Sequence, residues 1–240
     1  MQSGDKEVST QLRQEVIMTK ELFRQAVLKF TFGVVLVGML IFIPAGTLDY
    51  RSGQLFMGGL FIPMFCAGIV LMIKNPQLLR KRLNAKEKQM EQNVVLKLSG
   101  LMFIAGFVIC GLDFRFGWSA LPKGVVIGAV ILFFLAYVML AEVIRENTYL
   151  SRTIEVQENQ KVIDTGLYGI VRHPMYSATV LLFLMMPLIL GSIFGFIIFL
   201  TYPLIIAKRI RNEEEVLEEC LEGYREYKKR VKYKVIPFVW

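Results

Sequence analysis

Residues Pro174 to Ala207 read PMYSATVLLFLMMPLILGSIFGFIIFLTYPLIIA, 34 residues without a charge. As a single helix this run would be about 51 Å long, well beyond the ~30 Å of hydrocarbon in a bilayer. It is therefore expected to fold back on itself. Gly191-Ser192 at its middle supplies a turn, and Pro187 and Pro203 are kink sites on either side. Such a hairpin brings the residues just before Pro174 next to those just after Ala207.

Working back toward the N-terminus, further uncharged runs appear: 19 residues between Lys29 and Asp49, 22 between Arg51 and Lys74, and 18 between Lys123 and Glu142. Leu98 to Leu112 is shorter, at 15 residues, and Val94 to Leu96 extend it if Lys97 snorkels to the interface. A chain that is 55% hydrophobic with a mean hydropathy of +0.50 has the composition of a membrane protein. The expected fold is all-α: a polytopic integral membrane protein of four spans plus a transmembrane helical hairpin.

Of the 28 lysines and arginines, 25 fall in the four segments that share one side if the N-terminus is cytosolic. The positive-inside rule then puts both termini in the cytosol. The net charge of +8 is spread along these juxtamembrane segments, where anionic lipid meets it, so nucleic acid is not an expected partner. No signal peptide is expected, because a charged leader precedes the first apolar run. Within that leader Leu12, Val16, Leu22, Phe23, Ala26 and Val27 recur near helical spacing, the pattern of an amphipathic helix on the inner surface. Cys66, Cys110 and Cys220 form no disulfide framework, and no metal site is expected. Three regions result: a cytosolic amphipathic segment (1–29), a four-span scaffold (30–144) without polar groups clustered at membrane depth, and a cofactor-binding catalytic region (145–240).

Chemistry concentrates in that last region. Pro174 biases His173 away from helical geometry and is itself favoured at a first helical position, so His173, the one histidine of the chain, is placed at a helix cap with Tyr176 in the first turn. There the backbone N–H groups attract an anion, and Arg172 adds a fixed positive charge. Across the hairpin, Glu213 lies one helical turn after Arg209 and can pair with it, while Glu214 points about 100° away, free for another cation. An anion receptor beside two carboxylates suits a zwitterionic amino-acid moiety. Arg172 and Arg209 are the strong cations nearest this point, and an anionic acceptor would need one of them for orientation.

The pattern Gln160, Thr165-Gly166-x-Tyr168, Arg172-His173-Pro174-x-Tyr176, an apolar hairpin with Gly191-Ser192, Glu213-Glu214, then Tyr224, Tyr227, Val231 and Pro237 resembles the isoprenylcysteine carboxyl methyltransferase family. Its relatives include phospholipid N-methyltransferases and small-thiol methyltransferases. The resemblance covers about a third of the chain. It implies a cytosol-facing S-adenosylmethionine pocket in which Gln160, Gly166, Tyr168, His173, Pro174, Tyr176, Glu213 and Glu214 bind the cofactor. It also implies lipid-side access for a hydrophobic acceptor: an isoprenylcysteine-like carboxylate, a lipid amine or a small thiol. Ser177-Ala178 replaces a usual glycine after Tyr176, and Cys220-Leu221 replaces a Phe-Gly; both bear on helix contacts and substrate identity.

Methyl transfer from a sulfonium is an in-line displacement that needs alignment and exclusion of water. A soluble-type methyltransferase would show a glycine-rich strand-turn-helix unit, which this chain lacks. The enzymatic rival is an NADPH-dependent membrane sterol-type reductase, since sterol reductases carry a similar Arg-His-Pro-x-Tyr segment; the Glu-Glu pair and tyrosine tail favour the methyltransferase. A scaffold or transporter would place ionisable groups at midplane, often in repeated halves, and no repeat is found.

Overall fold

The computed structural model describes residues 2–84, 90–147, 149, 156 and 159–240, and every regular element among them is helical. Helices α1 (Gln2–Ala45), α2 (Arg51–Lys74), the short α3 (Pro76–Asn84), α4 (Met90–Phe116) and α5 (Lys123–Glu146) precede the hairpin. The hairpin consists of α6 (Pro174–Ile189), α7 (Ile193–Phe199) and α8 (Tyr202–Cys220), and α9 (Tyr224–Arg230) follows. Lys20–Ala45, Arg51–Lys74, Asn93–Phe116, Lys123–Glu146 and Ile193–Cys220 are long and apolar enough to cross a membrane, and Pro174–Ile189 is a shorter apolar helix. Large exposed side chains such as Phe32, Ile62, Leu101, Ile131 and Leu204 on these helices suit contact with acyl chains rather than water. The protein is an integral membrane protein.

The expected reversal occurs at Gly191-Ser192. Gly191 adopts a left-handed φ of 81°, open to glycine without steric cost, and the Ser192 hydroxyl caps α7 by accepting from Gly195 N at 2.9 Å. A second break falls at Leu200-Thr201. Pro203 therefore stands in the first turn of α8, where its missing N–H costs nothing, instead of kinking a continuous helix. Pro187 does lie inside α6.

Helix α6 packs along α5, while α4 lies between α1 on one side and α7 with α8 on the other. The fit is close. A Cβ on Gly111 would sit 2.4 Å from the Ile41 carbonyl of α1, and one on Gly195 would sit 2.3 Å from Cys110 Sγ of α4. One buried cluster joins Ile41, Phe107 and Phe133 with Tyr176, Phe199 and Ile206, so the four-span part and the hairpin share a core.

One feature differs from expectation. The third span, α4, does not stop before Asp113 but runs on to Phe116, because the buried Asp113 carboxylate is well supplied with donors. Ser119 N donates at 2.7 Å, Ser119 Oγ at 2.6 Å and Ser192 Oγ at 2.5 Å. This places a polar cluster at the hairpin tip, where plain scaffold was anticipated. Helix α1 runs from the leader into the first span across Lys29. The side chains of Leu12 and Val16 lie outside the described residues; Leu22 is buried and Phe23 and Val27 are exposed.

Candidate active site

The hairpin brings its two ends together as its sequence predicted. His173 is the residue before α6, with a non-helical φ of −125°, and Pro174 opens the helix. The 231–235 segment runs alongside: Arg172 N donates to the Tyr233 carbonyl at 2.9 Å and His173 N to the Lys234 carbonyl at 2.8 Å. Ser177 Oγ donates to the Val235 carbonyl at 2.6 Å, a bond that a glycine in its place could not make.

Glu214 on α8 is the hub of a buried clasp. Its Oε1 accepts from Arg172 Nε at 2.7 Å and meets His173 Nε2 at 3.2 Å, while its Oε2 lies 3.3 Å from Lys234 Nζ and 3.7 Å from Lys228 Nζ. Arg172 Nη1 also donates to the carbonyls of Val231 and Lys232, each at 2.7 Å. With Glu214, Arg172 and His173 all about 95% buried, this arrangement works as a clasp between the start of α6, α8 and the 231–235 segment. Glu214 thus takes a second cation, as the spacing suggested, but the cation belongs to the protein.

Glu213, one residue earlier, faces differently. Its Oε2 accepts from the Tyr176 hydroxyl at 2.5 Å, the same hydroxyl accepts from Arg209 Nε at 3.0 Å, and Oε1 lies 3.9 Å from His173 Nδ1. The phenol bridges the arginine and the carboxylate that sequence spacing had paired.

A cavity opens beside this second set. Gln160, Tyr168, Arg172, His173, Pro174, Tyr176, Arg209 and Glu213 all line it. Glu214 and Gly166 stand behind the wall: the Glu214 carboxylate is turned into the clasp, and Gly166 opens a 3₁₀ turn (Gly166–Gly169) beside Glu146.

Asn147, Lys161, Tyr224 and Tyr227 also reach the wall, with the apolar Met175, Val216, Leu217 and Leu221. Asn147 Nδ2 donates to the Tyr168 hydroxyl at 2.9 Å, and the Tyr227 hydroxyl donates to the Tyr168 carbonyl at 2.8 Å. The Tyr224 hydroxyl is buried and has no partner among the described residues. Burial raises all three phenols, Tyr168 to about 12, with nearby carboxylates adding to the rise at Tyr224, so each stays a neutral donor at pH 7. Tyr224 and Tyr227 were legible as a pair three residues apart on α9, hence on one face. Asn147 and Lys161 carried no signal, because they flank a polar stretch whose return over the end of α5 is a tertiary event. Within that stretch residues 148, 150–155 and 157–158 lie outside the described ones.

The wall therefore offers a carboxylate, several neutral donors and two arginines, Arg172 and Arg209, beside an apolar flank. Comparison with known proteins gives two findings. The chain is 28% identical over 92 residues to the Delta(14)-sterol reductase of Mus musculus, a match covering 37% of this chain and 22% of the reductase. Residues 121–223, which carry α5, the hairpin and most of the cavity wall, match the phospholipid methyltransferase family, one of the isoprenylcysteine carboxyl methyltransferase-like group of membrane methyltransferases that the motifs resemble.

Proposed function

We propose that the cavity binds S-adenosylmethionine and that the protein moves its methyl group to a hydrophobic or membrane-dissolved acceptor. The observation that carries this reading is the buried Tyr224 hydroxyl, a donor with no acceptor among the described residues, in the same cavity wall as Glu213. Buried donors are rarely left unpaired, so a ligand with an acceptor atom fits there. A zwitterionic amino-acid end matches the set: Glu213 takes its ammonium, and His173 and Tyr224 serve its carboxylate. Gln160, Asn147 and Tyr168 offer amide and hydroxyl groups to a sugar and a base. The cofactor, once bound, supplies an electrophilic methyl on sulfur.

The chain's own task is then alignment and dryness. The Glu214–Arg172 clasp holds the start of α6 against α8 and so fixes the spacing of His173, Tyr176 and Glu213. Arg172 is committed to that clasp through Nε and Nη1 and acts as a positioning residue; Arg209 stands on the cavity wall beside Tyr176, where a guanidinium can orient an anionic acceptor. Met175, Val216 and Leu217 give the apolar flank along which an isoprenylcysteine-like carboxylate, a lipid amine or a small thiol would lie.

The reductase match supports a second reading, a nicotinamide cofactor in the same cavity. Calorimetry on the purified protein separates the two. S-adenosylmethionine should bind and NADPH should not, and Tyr224→Phe should weaken S-adenosylmethionine binding by about 0.5–1.5 kcal/mol, the net worth of one hydrogen bond. Saturable NADPH binding without S-adenosylmethionine binding would reverse the assignment.

The 25-to-3 bias of basic residues supports a site on the cytosolic side. In a background lacking the three native cysteines, Lys229→Cys should react with an impermeant maleimide from the cytosol only, and Lys123→Cys from the opposite side only. Both residues reacting from one side would rule out this orientation.

A further inference from the structure

Residues 235–240 form a small hook that the proposed chemistry does not use. Val235 N and Ile236 N both donate to the Trp240 carbonyl at 2.9 Å, closing a turn. At its tip Phe238 has a φ of 65°, uncommon for a bulky residue, and its ring is 86% exposed; Val239 is 77% exposed and Ile236 also faces outward. A strained backbone that leaves an apolar ring resting on Tyr233, its centroid 5.2 Å away, and otherwise exposed has no use in water, and conformations of this kind persist where they serve a function.

Two observations say what covers the tip. The first is its depth. The Val235 carbonyl is bonded to Ser177, one turn into the apolar helix α6, and the Val235 side chain belongs to the buried cluster shared by the membrane helices. The hook thus lies at the level where α6 enters hydrocarbon. The second is charge: residues 224–240 carry six lysines and arginines against one acid, Glu226, and Lys229 and Lys232 are exposed. Lys234 Nζ lies 5.7 Å from the Trp240 ring centroid, a cation over an aromatic face at the depth where tryptophan collects in membranes.

We infer that residues 235–240 are an interfacial wedge, with Phe238 and Val239 seated among the upper acyl carbons of an anionic leaflet and Lys229 and Lys232 on its headgroups. Apolar burial and attraction to anionic lipid are the two forces that hold such segments. Because Tyr233 and Lys234, the residues just before the wedge, receive the backbone N–H groups of Arg172 and His173, lipid contact also steadies the clasp.

Trp240 reports on this directly. The chain has two tryptophans, so Trp118→Phe leaves Trp240 alone, and the full-length protein can be placed in nanodiscs of phosphatidylcholine with or without phosphatidylserine. Lipids brominated near the headgroup should remove most of the Trp240 emission, aqueous iodide should remove little, and phosphatidylserine should reduce iodide access further. Adding Phe238→Asp and Val239→Asp should reverse the pattern, and neither residue belongs to the proposed site. Emission insensitive to brominated lipid but quenched by iodide in both lipid mixtures would overturn the wedge and point to a solvent-facing surface. The readout needs no cofactor, so it is independent of the methyltransferase assignment.

Discussion

Replacing Glu214 by alanine is expected to lower stability by about 3–5 kcal/mol, the cost of stranding a buried charge without its partner. Arg172 would keep its carbonyl contacts to Val231 and Lys232 but lose the carboxylate that neutralises it, and Lys234 would lose the same partner. A thermal melt in detergent should show a clear fall in midpoint, and S-adenosylmethionine binding should fail as a consequence. The double variant Arg172→Met with Glu214→Leu should recover much of the loss, since exchanging a buried pair for apolar groups of similar size is often neutral. Wild-type melting of Glu214→Ala would mean that the clasp does not hold these elements together. Recovery of the melt without recovery of binding is the pattern expected if the clasp also sets the cavity wall.

For Arg209 the expected loss is in turnover. Arg209→Lys should lower the methyl-transfer rate by about ten-fold or more, at least ~1.4 kcal/mol in the barrier, while cofactor affinity survives. A lysine keeps the charge but cannot reproduce the planar fork that meets a carboxylate in two places. It also loses the Nε donor that reaches the Tyr176 hydroxyl, so Tyr176→Phe is the needed control. If Tyr176→Phe alone reproduces the defect, the bridge is the cause; if Arg209→Lys leaves turnover unchanged, the apolar walls align the acceptor. Arg172→Lys separates from both, because its defect should appear in the melt.

Much of this molecule was legible in its sequence because membrane solubility writes in long, one-letter-class runs. The hairpin, its reversal at Gly191-Ser192 and the meeting of His173 with the Glu213-Glu214 pair all followed from run length and local geometry. What could not be read was the direction in which each polar group is spent. Arg172 reads as a free cation until the 231–235 segment arrives to claim it, and Glu214 reads as a ligand until Arg172 and Lys234 do the same. Asp113 reads as the end of a span because its three donors come from Ser119 and from Ser192, which lies 79 residues away. Tyr224 shows the reverse case: in sequence it is one tyrosine of a tail, and only a fold that buries its hydroxyl without a partner among the described residues marks it out.

The cluster at the hairpin tip also constrains how such a chain can be made. With sixteen residues, α6 rises about 24 Å, short of the ~30 Å of hydrocarbon, and at its tip Ser192 meets Asp113. A nascent chain delivers Asp113 to the translocon with Ser119 close behind, but Ser192 has yet to be synthesised. Until then the carboxylate lacks one of its hydroxyl donors in a setting where an undersupplied charge is costly. Helices α4 and α5 are thus an unfinished insertion unit that the hairpin completes from the lipid side. The buried carboxylate of α4 is thus fully supplied only after the hairpin, and with it the second half of the cavity wall, has been made.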